Sequence, residues 1–254
     1  DRNMTHPPAQ HDPSLPLMEI WRRYLEQYAD HEGDAAAQAL VAAHHAFEIL
    51  TALARILDPR ERYRALIDRR AAIFAQGRLE ARTHPDRMLN AAFSLYNALN
   101  TLGHQLTGED PEARGLIAAV DARVRAEVES AGPDGRVAAA LGACFPLLGL
   151  VTIAADGAGE LTDPIRQVER RFAEGMRAAR SDRERLLGAL YRMVEMTQLL
   201  ALATDPGLRD RIDQVATRFR EEDRAADPAL KERNGFCRFF ELCHILTVQV
   251  GALL

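Results

Sequence analysis

From Val137 to Ala155 the chain reads VAAALGACFPLLGLVTIAA, a stretch without one charged side chain. That length suffices to span a bilayer. Gly142, Pro146 and Gly149 interrupt it, however, and no basic cluster flanks one end in a positive-inside manner. It also takes the same place in a repeat as helices of milder composition. The expectation is a buried central helix and no membrane span.

The repeat is visible in its punctuation. Six of the twelve prolines follow an aspartate: Asp12-Pro13, Asp58-Pro59, Asp110-Pro111, Asp163-Pro164, Asp205-Pro206 and Asp227-Pro228. Aspartate is a good helix N-cap and proline suits the first helical position, so each pair predicts a helix start. Gly33-Asp34, Thr83 to Asp86, Gly132 to Asp134 and Ser181 to Glu184 mark further starts, the last with capping-box spacing. Ten helical segments result. After the first, roughly Leu17 to Asp30, an apolar class alternates with a charged one. The apolar class holds Asp34–Leu57, Asp86–Thr107, Asp134–Ala155, Asp182–Thr204 and Pro228–Leu254. The charged class holds Pro59–Thr83, Pro111–Ala131, Asp163–Arg180 and Pro206–Ala225. Apolar starts recur with a period of about 48 residues, the signature of stacked helical hairpins. Ile117, Val120 and Arg123 return as Ile165, Val168 and Arg171, then as Ile212, Val215 and Arg218.

The expected fold is therefore all-α, with about ten antiparallel helices in a helical-hairpin repeat. It is either an α-solenoid-like array or a closed helical bundle. Helices apolar over most of their circumference need cover on more than one side, which places them inside and the charged class outside. A flexible segment at 1–16 would precede a single helical domain at 17–254 of about five hairpin units.

Composition agrees: 47% apolar, 27% charged and only 6% aromatic residues describe a globular chain rich in helix formers. The net charge of -5 argues against nucleic acid as a partner. Cys144, Cys237 and Cys243 lie in apolar helical stretches, an odd count that predicts reduced thiols and a reducing compartment. Asp1 to Pro16 is polar and proline-rich, so no signal peptide is expected, and Met4 reads as the natural start. Together these predict a cytoplasmic protein.

Three groups of residues invite chemistry. Glu241-Leu-Cys-His244 sets a carboxylate and an imidazole on one helical face, able to share a metal. It resembles half of the ligand set of ferritin-like di-iron bundles. His45-Ala-Phe-Glu48 has the order reversed, and Glu195-Met-Thr-Gln198 has glutamine where histidine is needed. His45, Glu48, Glu195, Glu241 and His244 are thus the candidate metal or haem ligands; the alternative is that neighbouring arginines satisfy the glutamates. A second group, Gly142, Phe145, Pro146 and Gly149, could open a cavity for an apolar ligand where proline frees a helix carbonyl. The third is the basic helix after Pro59, where Arg60, Arg62, Arg64, Arg69 and Arg70 form a candidate partner surface.

No phosphate loop or nucleophile elbow is present, and no catalytic residue or cofactor is assigned. The reading that follows is a non-enzymatic helical-repeat protein presenting a surface to a protein partner. Its alternative is a helical-bundle enzyme or sensor that holds a metal, haem or apolar small molecule through buried Glu and His.

Overall fold

The computed structural model describes residues 14–253 except 225. The expected flexible segment at 1–16 falls mostly outside this range, as do Asp12-Pro13. Among the described residues ten α-helices alternate between outer and inner positions. The outer ones are α1 (Ser14–Asp30), α3 (Arg64–Glu80), α5 (Pro111–Ser130), α7 (Thr162–Ala178) and α9 (Arg209–Asp223). The inner ones are α2 (Ala35–Ile56), α4 (His84–Thr107), α6 (Pro133–Ala155), α8 (Asp182–Thr204) and α10 (Pro228–Leu253).

Each inner helix packs on the next, α2 on α4, α4 on α6, α6 on α8 and α8 on α10, and α10 returns to pack on α2. The array is therefore a closed ring of five hairpins, which decides between the two architectures the sequence left open. Closure gives every inner helix an inner neighbour on both sides. Phe236, Phe239 and Phe240 of α10 and Leu141, Leu147 and Leu148 of α6 are fully buried. Each such side chain contributes about 1.5–3 kcal/mol on burial. Proline at Pro146 does not break α6, which runs through it.

The punctuation works as capping chemistry at several starts but not at all of them. Asp163 lies inside α7, which begins at Thr162 after Leu161 with no side-chain cap, and Asp205 and Asp58 depart as well. Asp110, Asp205 and Asp227 accept hydrogen bonds from Glu112, Gly207 and Leu230 amides. Asp205 starts a short 3-10 turn, Pro206–Leu208, ahead of α9. Asp58-Pro59 does not begin a helix. The Asp58 carboxylate accepts from the amides of Arg62 and Tyr63, at 2.8 Å each, and α3 starts only at Arg64. A turn with Glu61 at φ 52° fills the gap. At Ser181 the hydroxyl accepts from Glu184 N at 3.1 Å, while the glutamate reaches back to the amide of Arg180 at 2.6 Å rather than to the cap residue itself.

The expectations of no membrane span and of a cytoplasmic location are corrected. Four helices, α2, α6, α8 and α10, are long and apolar enough to cross a membrane. Their most apolar windows are 72%, 67%, 50% and 44% buried within the fold, so α8 and α10 leave half or more of theirs outside the core. The stretch at 137–155 is the most apolar of the four but not alone. The three milder helices also pass once length and low charge are taken together.

Candidate functional site

The outer helices do not roof the ring evenly. α1 packs on α2 and α10, while α3 packs chiefly on α4 and more lightly on α2. α3 has little to hold it closer: only Ile67 and Phe74 are buried. A valley is left between α1 and α3, with α2 as its floor.

One end of the valley is an apolar cavity of about 790 Å³. Leu17 and Ile20 of α1, Phe47, Ala52 and Ile56 of α2, and Phe74 of α3 line it. Two of its rim arginines are paired. Arg23 binds Glu48 at 3.0 Å, and Arg55 binds Asp68 at 3.1 Å. The other end is a polar cavity of about 560 Å³. Gln27 comes from the last turn of α1 and His31 from just past it, Asp34 caps α2 and His44 lies near its middle, and His84 and Arg87 come from the start of α4. Arg78, near the end of α3, lines both cavities. Phe74 stands at the junction, edge-on to His44 at 5.3 Å and against Phe47 at 4.3 Å.

Within the polar cavity the charges are unbalanced. Among the described residues neither Arg78 nor Arg87 has a carboxylate partner; Arg78 lies over the Phe74 ring, 5.7 Å from its centre. The one carboxylate present, Asp34, is engaged as the cap of α2, accepting from Ala37 N at 2.9 Å. His44 is 8% exposed, and its Nε2 is shut from solvent without a hydrogen-bond partner. Burial, reinforced by Arg78, His45 and Arg87, pushes its pKa down to about 3, so the ring is neutral.

The candidate metal ligands go elsewhere. Glu48 pairs with Arg23, Glu195 with Arg171 at 3.3 Å and Arg192 at 2.6 Å, and Glu241 with Arg218 and Arg238. His45 bonds the Val41 carbonyl at 2.8 Å through Nδ1. Trp21 of α1 covers His244, with ring centres 4.6 Å apart. Among the described residues no three His, Cys, Asp or Glu side chains gather closely enough to hold a metal ion. The glutamates instead do a repeated structural job: in three of the five hairpins an outer-helix arginine ties to an inner-helix glutamate. Arg171 and Arg218 are the arginines of the repeat noticed in the sequence.

Of the proposed cavity residues, Gly142 does open on a valley, the one between α5 and α7, of about 720 Å³. Phe145 is buried and stacks on Phe172 at 4.0 Å, while Pro146 and Gly149 do not line that space. Arg60 and Arg62 lie in the turn before α3 and Arg64 and Arg69 on α3 itself; all four are exposed, and Arg64 pairs with Glu61. Arg70 is spent on the fold. Its guanidinium hooks Asn97 O, the Thr101 hydroxyl and Asn100 Oδ1, the last at 2.8 Å, locking α3 to α4.

The α1–α3 valley was missed in the sequence, though a signal exists. His44, Glu48, Thr51 and Arg55 recur at intervals of four, three and four residues, one polar stripe along an otherwise apolar helix. Compared with known proteins, the chain matches no family model, no curated protein and no solved structure.

Proposed function

We propose that this protein binds an elongated apolar small molecule in the valley between α1 and α3. The apolar cavity there carries the reading: about 790 Å³, within the range of ordinary ligand sites, floored by aliphatic and aromatic side chains. Arg23 and Arg55 on its rim are already engaged by Glu48 and Asp68, so an uncharged chain entering the cavity separates neither pair, and Arg78 stands at the end shared with the polar cavity. Empty, the same surface costs hydration free energy without return.

Titration with the neutral apolar dye N-phenylnaphthylamine tests this. Saturable binding with enhanced fluorescence is expected, and Ala52→Trp, which places an indole in the cavity from the floor, abolishes it while the melting temperature holds. Absence of saturable binding, or binding indifferent to Ala52→Trp, contradicts the proposal.

A further inference from the structure

Resting on that reading, we infer that the ligand is a long-chain carboxylate whose anionic head sits in the polar cavity beside Arg78 and Arg87 and whose chain lies along the apolar cavity. The two cavities are end to end over one helix. On α2 the polar end runs from Asp34 to His44 and the apolar end from Phe47 to Ile56, along one face. A single elongated molecule occupies both only if it is polar at one end and apolar along the rest.

The sign of the head follows from the charges. Two arginines face one carboxylate, Asp34, which is already bonded to the α2 backbone. The surplus matches a monoanion, and a carboxylate meets the planar fork of a guanidinium in two parallel hydrogen bonds. A cationic head is excluded by the same count. His44, in the wall of the same cavity, is held neutral by burial and by the two arginines, so it adds no charge of its own to the count. Arg78 joins the two ends, with its guanidinium over Phe74 on one side and open to the polar cavity on the other.

Calorimetric titration of the whole protein with dodecanoate, dodecanol and dodecyl phosphate, all below micelle formation, is the test. The expected order is dodecanoate tightest. Arg78→Gln and Arg87→Gln each weaken dodecanoate about ten-fold or more, the loss of a charge-assisted hydrogen bond, and Arg87→Gln, which lies outside the apolar cavity, leaves dodecanol unchanged. If dodecanol binds as tightly as dodecanoate, or neither substitution discriminates between them, the head-group assignment falls while the apolar site stands. Preference for dodecyl phosphate overturns the carboxylate. If none of the three binds, the proposed function itself fails. Arg78→Lys serves as a control for folding: it keeps the charge, loses the fork, and is expected to retain part of the dodecanoate affinity.

Discussion

Adding one methyl group at Gly235 tests the ring where α10 meets α8. A Cβ built there lies 2.5 Å from Leu190 Cδ2, 2.8 Å from its Cγ and 3.4 Å from Tyr191 Cε1. Leu190 is fully buried and has nowhere to retreat. Overpacking of this kind costs about 1–3 kcal/mol. Alanine returns about 1 kcal/mol through helix propensity, so Gly235→Ala is expected to destabilise by roughly 1 kcal/mol. Leu190→Ala alone costs about 2–5 kcal/mol through lost burial and the cavity left behind. In the double variant the clash vanishes and the new methyl fills part of the cavity. The pair is therefore less damaging than the sum of its parts, by about 1–2 kcal/mol. Urea unfolding followed by circular dichroism measures all four corners of the cycle. If Gly235→Ala stabilises like an exposed helix glycine and the cycle is additive, α10 does not meet α8 at this point and the ring is wrong there.

Other perturbations read other links. His44 has its pKa depressed from the ordinary 6.5 to about 3, so the folded state binds fewer protons than the unfolded one. Its contribution is present above about pH 6.5 and is lost as pH falls below it, at up to about 1.4 kcal/mol per unit. Urea midpoints of the wild type should thus fall more steeply between pH 6 and 4 than those of His44→Gln; parallel curves would refute the burial of that ring. Arg70→Met is expected to cost about 2–3 kcal/mol by leaving buried Asn100 and Thr101 facing an apolar chain, with Arg70→Lys recovering only part. An unchanged denaturation midpoint would show that α3 is not hooked to α4. Ser181→Ala should cost about 1 kcal/mol and Ser181→Asp little, since only the first removes the acceptor for Glu184 N. Equal thermal shifts for the two would discount the cap.

The all-α class and the hairpin period were legible because they rest on local chemistry. Aspartate caps, proline at first positions and a regular alternation of apolar with charged segments are all written along the chain. Ring closure was not, because it depends on the contact between α2 and α10, the two most distant inner helices in sequence. Glu48, Glu195 and Glu241 stood out as carboxylates in apolar helices, and that was sound. Their partners were harder to see, since Arg23, Arg171 and Arg218 lie one helix earlier, about 23–25 residues away. Asp58 misled because a carboxylate that caps a loop has the same sequence signature as one that caps a helix. The valley escaped notice for a related reason. His44 and Arg55 were hidden in the most apolar class of helix, while Arg78 and Arg87 come from two other helices altogether.

Diffraction from crystals soaked with dodecanoate brominated at its terminal carbon addresses the site most directly. The expected anomalous bromine peak lies in the apolar cavity toward Ile56 and Leu17, with carboxylate density beside Arg78 and Arg87. A peak in the α5–α7 valley beside Gly142, or no ordered bromine in crystals of a protein that binds the ligand in solution, would contradict the assignment.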